Sequence, residues 1–305
     1  MNVYAGLDLG GSSLKYGCGN QKEGLFSFDQ IKHKNKGRED ILYLLSTAIK
    51  DIQAALSPEN NLHAISLGSP GFIDHDLGEI LGNCPNIFQW TGTNPKRYLE
   101  SHFSIPVFVE NDADLMALGE SQLINQQQDA LLGITIGTGI GSGFVKNGSI
   151  YHGSSYAAME LGHAIIERNG EQCSCGKRGC LETYTSIPAI EKQVESLIGR
   201  HLNIDKILQL EKDNHQINRV IKEAYQKLGM AIANAVVLLD PRVVVIGGGL
   251  TECPHFHIEP LKASIKNYLI KYHQDSIVIK QAELKNKTGV WGGIVLAEKS
   301  IQQGN

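Results

Sequence analysis

The stretch Val3-Tyr4-Ala5-Gly6-Leu7-Asp8-Leu9-Gly10-Gly11-Ser12-Ser13-Leu14-Lys15-Tyr16-Gly17 decides the fold. It reads as two short strands around a glycine turn. Leu131 to Val145 repeats that design, with apolar residues on either side of Gly137-Thr138-Gly139-Ile140-Gly141. Setting Gly6 against Gly133 puts Asp8 opposite Thr135 and Gly10 opposite Gly137. One hairpin given twice predicts two domains, each offering a glycine turn to one ligand, with a cleft between them. Between the hairpins, Arg38 to Leu56 has helical periodicity, and Ala64-Ile65-Ser66-Leu67-Gly68 and Val107-Phe108-Val109 read as buried strands. Farther on, Ile187 to Leu197, Ile217 to Leu239 and Thr288 to Lys299 read as helices, and Val243-Val244-Val245-Ile246 as a strand ending at Gly247-Gly248-Gly249. Strands alternating with helices place the chain in the α/β class.

The 305 residues are enough for two packed domains, and the mix of apolar and charged residues is that of a globular protein. A net charge of −4 and the absence of a dense Lys/Arg run argue against nucleic acid or an anionic membrane as the main partner. The opening Asn2-Val3-Tyr4-Ala5-Gly6 lacks the basic start and apolar core of a signal peptide, and no apolar run is long enough to span a bilayer. The expected location is the cytoplasm. There the six cysteines should be thiols or metal ligands, with Cys18, Cys84 and Cys253 as isolated small hydrophobes.

The remaining three cysteines form the most specific motif. Glu160-Leu161-Gly162-His163 precedes Cys173-Ser174-Cys175-Gly176 and Gly179-Cys180-Leu181-Glu182. One imidazole and three thiolates, His163, Cys173, Cys175 and Cys180, can close a tetrahedral Zn²⁺ shell with no open position, the arrangement of a structural zinc. Such a zinc would order a loop carrying Glu160 and Glu182, two acceptors for a polar ligand.

The first glycine turn follows a carboxylate at the end of a buried strand, and its glycines let backbone N–H groups approach an anion closely. That suits a triphosphate. Asp8 would then hold Mg²⁺ or its bound water, while Ser12 and Lys15 donate to phosphate oxygens. Gly10 and Gly11 could equally form an ordinary tight turn, but Gly137, Thr138 and Gly139 offer a second set of backbone donors. Neither loop has Walker A or dinucleotide-fingerprint spacing. Glu110-Asn111-Asp112-Ala113 follows a buried strand, where three consecutive polar side chains are costly unless they face a cleft. Capping of a following helix at Asp112 is a compatible structural reading.

Taken in order, the first phosphate loop, the Glu-Asn-Asp-Ala run, the second glycine loop, the His-Cys motif and the late glycine triplet resemble the ROK family, named for repressors, open reading frames and sugar kinases. The resemblance covers nearly the whole chain. It implies a two-domain, actin-like fold of the duplicated ribonuclease-H type, with a central cleft and a zinc-bound loop. The smaller domain would be 1–113 plus 290–305, the last helix returning to it, and the larger domain 114–289. It further implies an ATP-dependent hexose kinase. Asp112 would be the general base that takes the proton of the attacking hydroxyl. Gly71, Asn111, Glu160, His163 and Glu182 would contact the sugar, His163 keeping one ring nitrogen for zinc. Gly247, Gly248 and Gly249 would admit the adenosine of ATP, although a plain strand-end turn explains them equally well. A homodimer or homotetramer is expected.

Within the family, Asn83-Cys84-Pro85-Asn86-Ile87-Phe88-Gln89-Trp90 resembles glucokinases more than fructokinases. Glucose is therefore the expected substrate, with N-acetylmannosamine or N-acetylglucosamine as the alternative, since Glu160, His163 and Glu182 also serve those kinases. Two departures stand out: Asp114 where family kinases often have Asn, and Lys287-Thr288-Gly289 where Asp-Ala-Gly is common. Family repressors carry a helix-turn-helix ahead of the first phosphate loop, and Asp8 lies almost at the N-terminus, so a sugar-responsive regulator is disfavoured. Intact Asp8 and Asp112 speak against a non-catalytic sugar-binding module.

Overall fold

The computed structural model describes residues 1–34, 36–84, 87–124 and 130–303. The chain divides into two compact units, Met1–Asn125 with Gly148–Ala158 and Lys287–Asn305, and Gln126–Asn147 with Met159–Asn286. The helix that begins at Asp112 thus belongs to the first unit.

The first unit opens with β1 (Asn2–Leu9), β2 (Ser13–Asn20) and β3 (Gly24–Lys32), followed by α1 (Arg38–Ala55) and β4 (Asn61–Ser69). A small hairpin, β5 (Phe72–Asp74) and β6 (Glu79–Gly82), precedes α2 (Pro95–Phe103), β7 (Val107–Asn111) and α3 (Asp112–Ser121). Its sheet has the order β3-β2-β1-β4-β7. The first three strands are antiparallel, and β1, β4 and β7 run parallel.

In β1 nearly every residue is buried, as a strand covered on both faces requires. Val3, Ala5, Leu7 and Leu9 pack in one core with Ile41, Leu45 and Ile49 of α1. Because side chains alternate across a strand, Tyr4 and Gly6 point to the opposite face.

The second unit contains β8 (Leu131–Ile136) and β9 (Ile140–Lys146); the short β10 (Ser149–Ile150) falls within the 148–158 segment of the first. Then follow α4 (Glu182–Thr185), α5 (Ile187–Ile198), α6 (Ile204–Leu210), α7 (His215–Leu239), β11 (Val243–Gly247), α8 (Ile258–Tyr268), α9 (Lys271–Ser276) and β12 (Val278–Gln281). Here β9, β8, β11 and β12 lie side by side in that order. β8 and β9 are antiparallel, while β8, β11 and β12 are parallel. This is the same order and sense as β2-β1-β4-β7, so the hairpin repeat in the sequence marks a repeated sheet. Even the glycine pairs correspond: Gly6 faces Gly17 in one hairpin and Gly133 faces Gly143 in the other. The core under this sheet is supplied largely by α7, whose Ile217, Val220, Ile221, Ala224, Leu228, Ile232 and Val236 follow the helical period.

The last helix, α10 (Thr288–Gln303), packs on β1, β4 and α3 of the first unit. Its glycines make the approach close. A Cβ on Gly6 would lie 2.0 Å from Val290 O, and one on Gly292 would lie 1.8 Å from Leu115 O, so a side chain at the first would push the helix off the sheet and one at the second would push it off α3. Thr288 is buried at the start of α10, and its hydroxyl donates to Glu120 Oε1 of α3 at 3.2 Å. The departure from Asp-Ala-Gly therefore carries a hydrogen bond that alanine could not make. No helix among the described residues is long and apolar enough to cross a membrane. Cys18 and Cys84 are buried as expected, whereas Cys253 is only half-buried, at the turn after β11.

Candidate active site and metal centre

In the first unit, antiparallel pairing puts Asp8 of β1 directly opposite Lys15 of β2. Their side chains form an ion pair of 3.3 Å. Gly10, Gly11 and Ser12 make the turn between them. Gly10 N–H donates to Ser13 O at 2.9 Å, so this donor closes the turn rather than facing outward. The start of α10 lies against Asp8, since a Cβ on Gly289 would be 2.7 Å from Asp8 Cγ. The positive end of a helix favours a carboxylate there.

Asn111 ends β7 and caps α3. Its Oδ1 accepts from Ala113 N at 2.9 Å and Asp114 N at 3.3 Å, while Nδ2 donates to Gly71 O at 3.2 Å. The cap is therefore Asn111, one residue earlier than the sequence suggested, and capping accounts for the asparagine. Asp112 becomes the first residue of the helix, with its Oδ1 accepting from Ala113 N at 3.0 Å. Burial pushes its carboxyl up to about 6, the nearby Asp8 charge adding to the shift and Lys15 opposing it.

Gly71 adopts φ +101°, and a Cβ there would lie 2.2 Å from Cys84 Sγ and 2.3 Å from Gly82 O. Only glycine fits this turn without strain. Trp90 is fully buried and donates from Nε1 to Ser69 Oγ at 2.9 Å, holding the strand end that leads into the turn. Sequence reasoning valued Trp90 as a mark of substrate type; its place is in the core beneath the Ser69-Pro70-Gly71 turn. Pro85 and Asn86 of the same segment lie outside the described residues.

In the second unit, Gly137, Thr138 and Gly139 form the turn between β8 and β9, with Thr138 exposed. Glu182, the first residue of α4, accepts from Ile140 N–H at 3.0 Å through Oε2, and a Cβ on Gly139 would stand 2.3 Å from that oxygen. One oxygen of the expected sugar contact thus braces the second glycine turn. Gly247 ends β11, Gly248 has φ +91°, and Gly249 enters a 3₁₀ turn in which Thr251 N–H and Oγ1 both donate to Gly248 O.

The His-Cys segment folds on itself in the same unit. Ile166 N donates to Gly179 O at 2.9 Å and Leu181 N to Ala164 O at 3.0 Å, which lays Cys180 beside Ile165, two residues past the histidine. Ser142 of β9 donates to Met159 O and accepts from Leu161 N, so Glu160 is anchored on both sides. His163, Cys173, Cys175 and Cys180 bring one ligand atom each to within 4.8 Å of one another. The gaps are 3.6 Å from Cys173 Sγ to His163 Nδ1 and 3.6 Å from Cys175 Sγ to Cys180 Sγ. Zn–S bonds of about 2.3 Å at tetrahedral angles put sulfurs about 3.7 Å apart. The set therefore fits Zn²⁺. Burial and its sulfur neighbours push the Cys180 thiol up to about 12, a cost that a cation among the sulfurs would offset. Nε2 of His163, the ring nitrogen away from Cys173, lies 3.8 Å from Glu160 Oε2, a carboxylate that could orient the ring were Nδ1 to bind a metal.

The family model described as ROK family matches residues 4–300. A glucokinase of Halalkalibacterium halodurans is 32% identical over 99% of this chain and 98% of its own. An N-acetyl-D-glucosamine kinase of Histophilus somni is 26% identical over 96% of this chain and 98% of its own, and a xylose repressor of Caldicellulosiruptor bescii is 27% identical over 85% of this chain and 68% of its own. Among solved structures, the ROK hexokinase from Thermus thermophilus is 30% identical, with a TM-score of 0.85 over 99% of this chain and all of its own. With a matched pattern that runs through both hairpins, the capped aspartate and the His-Cys cluster, the chain belongs to the ROK family.

Proposed function

We propose that the protein is an ATP-dependent hexose kinase, with glucose phosphorylated at its 6-hydroxyl. The observation that carries this reading is Asp112, held at the first turn of α3 by the Asn111 cap and pushed up to about 6. A carboxylate with that affinity for a proton is ionised at neutral pH yet basic enough to accept one from an attacking hydroxyl. Asn111 keeps the Gly71 turn and the base in register, and Gly71 lets the backbone close on the sugar. Glu160, His163 and Glu182 supply acceptors for the remaining hydroxyls. A site built of such acceptors rejects analogues that lack a hydroxyl, because its polar atoms would be left unpaired.

For the nucleotide, the two glycine turns and Gly247 to Gly249 are the expected contacts, and Asp8 is the residue placed to hold Mg²⁺ or its water. Bound Mg²⁺ supplies charge neutralisation on the phosphates. Lys15, already paired with Asp8, is poised to exchange that partner for a phosphate oxygen. Zn²⁺ in the His163, Cys173, Cys175 and Cys180 set acts structurally, ordering the segment that carries Glu160 and Glu182.

The choice of glucose rests on the Asn83 to Trp90 segment and on the resemblance to glucokinases. N-acetylhexosamine is the second reading, supported by the N-acetyl-D-glucosamine kinase relative. The test is ADP release with glucose, N-acetylglucosamine, N-acetylmannosamine, mannose and fructose under one set of conditions. Glucose should show the highest kcat/KM; a hexosamine ahead by tenfold, about 1.4 kcal/mol of transition-state binding, overturns glucose and keeps the kinase. Sugar binding by calorimetry with no turnover on any hexose would instead favour the regulator reading.

A further inference from the structure

The first unit holds a second cluster of metal-type ligands, separate from the residues assigned above. His75 lies in the β5–β6 hairpin, Glu110 is the penultimate residue of β7, and His152 belongs to the 148–158 segment. Each offers one ligand atom, and these atoms lie within 4.8 Å of one another. Glu110 is the centre: Oε2 is 2.7 Å from His152 Nε2, and Oε1 is 3.4 Å from His75 Nδ1. The two imidazoles overlap, with ring centroids 3.9 Å apart and planes 32° from parallel.

This geometry sets an electrostatic problem. Glu110 is 2% exposed, and among the described residues its ion-pairing partners are these two imidazoles, with no lysine or arginine. A buried carboxylate needs a countercharge. Two imidazolium rings stacked at this distance would repel each other, so the pair of rings cannot supply two full countercharges. A divalent ion satisfies all three groups at once.

We propose that His75, Glu110 and His152 form a second metal site, selective for Zn²⁺. Two imidazoles and one carboxylate suit zinc and leave a coordination position open, whereas Mg²⁺ and Ca²⁺ favour all-oxygen shells. The ion ties together three segments that are distant in sequence, and it anchors the end of β7 one residue before the Asn111 cap. Neither the site nor its test depends on the kinase reading.

The experiment is equilibrium dialysis of the full chain against Zn²⁺, followed by elemental analysis of wild type, His75→Asn and His152→Asn. Wild type should bind one equivalent beyond that of the cysteine centre, and each variant should lose that equivalent while keeping the first, which also reports that the variant is folded. Cobalt placed in the second site should give visible d–d absorption with no thiolate-to-metal charge-transfer band. Saturation of wild type at a single equivalent overturns the proposal. So does a second equivalent that survives in both variants, or a charge-transfer band that accompanies it and places the ion on sulfur.

Discussion

Replacing Asp112 by asparagine should stabilise the first unit while removing the base. The carboxyl's ordinary value is 3.8 and its folded value about 6, so folding binds its proton more tightly than the unfolded chain does. The shift of about two units corresponds to about 3 kcal/mol between the protonation states. Because the side chain is only partly buried, solvent screening brings the usable figure to about 1–2 kcal/mol. The sign follows from linkage: a raised pKa gives stability that is complete below the unfolded value and lost as pH rises through the folded one. Wild type and Asp112→Asn should therefore have equal stability below about pH 4, diverge between about 4 and 6, and keep a constant gap above 6, with the variant ahead. Urea unfolding from pH 5 to 8, followed by fluorescence and circular dichroism, measures this gap. At the same time kcat should fall by about 10²–10⁴-fold, since the amide keeps a hydrogen bond but accepts no proton. Wild-type kcat/KM should rise with pH and level off above about 6. A variant less stable than wild type at pH 8, or a gap independent of pH, would refute the claim that Asp112 is held at a raised proton affinity.

Gly71→Ala should lower stability by more than about 2 kcal/mol and raise the sugar KM, because the added carbon meets Cys84 and Gly82 at a positive φ; normal denaturant midpoints would show that the turn yields. Trp90→Phe should cost about 1–3 kcal/mol through the lost indole bond to Ser69 Oγ, which keeps only its own bond to Pro70 O, and a double-mutant cycle with Ser69→Ala should recover part of that loss. Additive effects in the cycle would mean that the bond contributes nothing. Cys175→Ser should release the zinc of the cysteine centre and lower the thermal midpoint, with sugar affinity falling in parallel. Elemental analysis and calorimetry check both, and unchanged sugar binding would uncouple the two sites.

The parts of the fold that the sequence made legible are those with a clean period. β1, β2, β8 and β9 flank glycine turns, and α1, α5, α7 and α10 each carry an apolar pattern bounded by breakers. α3 escaped because Ala113 to Ser121 is buried on every side, which erases the helical stripe that periodicity detects. β12 and the β5–β6 hairpin are too short for alternation to register. In the candidate site, the His-Cys cluster was readable because its ligands lie within one segment. The Asn111–Gly71 bond, the Glu182 brace on Ile140 and the Trp90–Ser69 bond were not, since each pairs residues whose nearness only the folded chain creates. The same is true of His75 and His152, which are unremarkable until β7 brings Glu110 to both.

The glycine seam of α10 has a consequence for how the molecule is made. β1 has one face covered by α1 within the next fifty or so residues, but its other face waits for α10. Throughout synthesis of the second unit, Tyr4 and Ala64 lack the Val290, Ile294 and Ala297 that complete their cluster. The nascent chain thus carries an uncovered apolar sheet face through most of its translation, a stage at which holding chaperones have something to bind. A premature stop anywhere before residue 288 would leave that face open for good, marking truncated chains for removal.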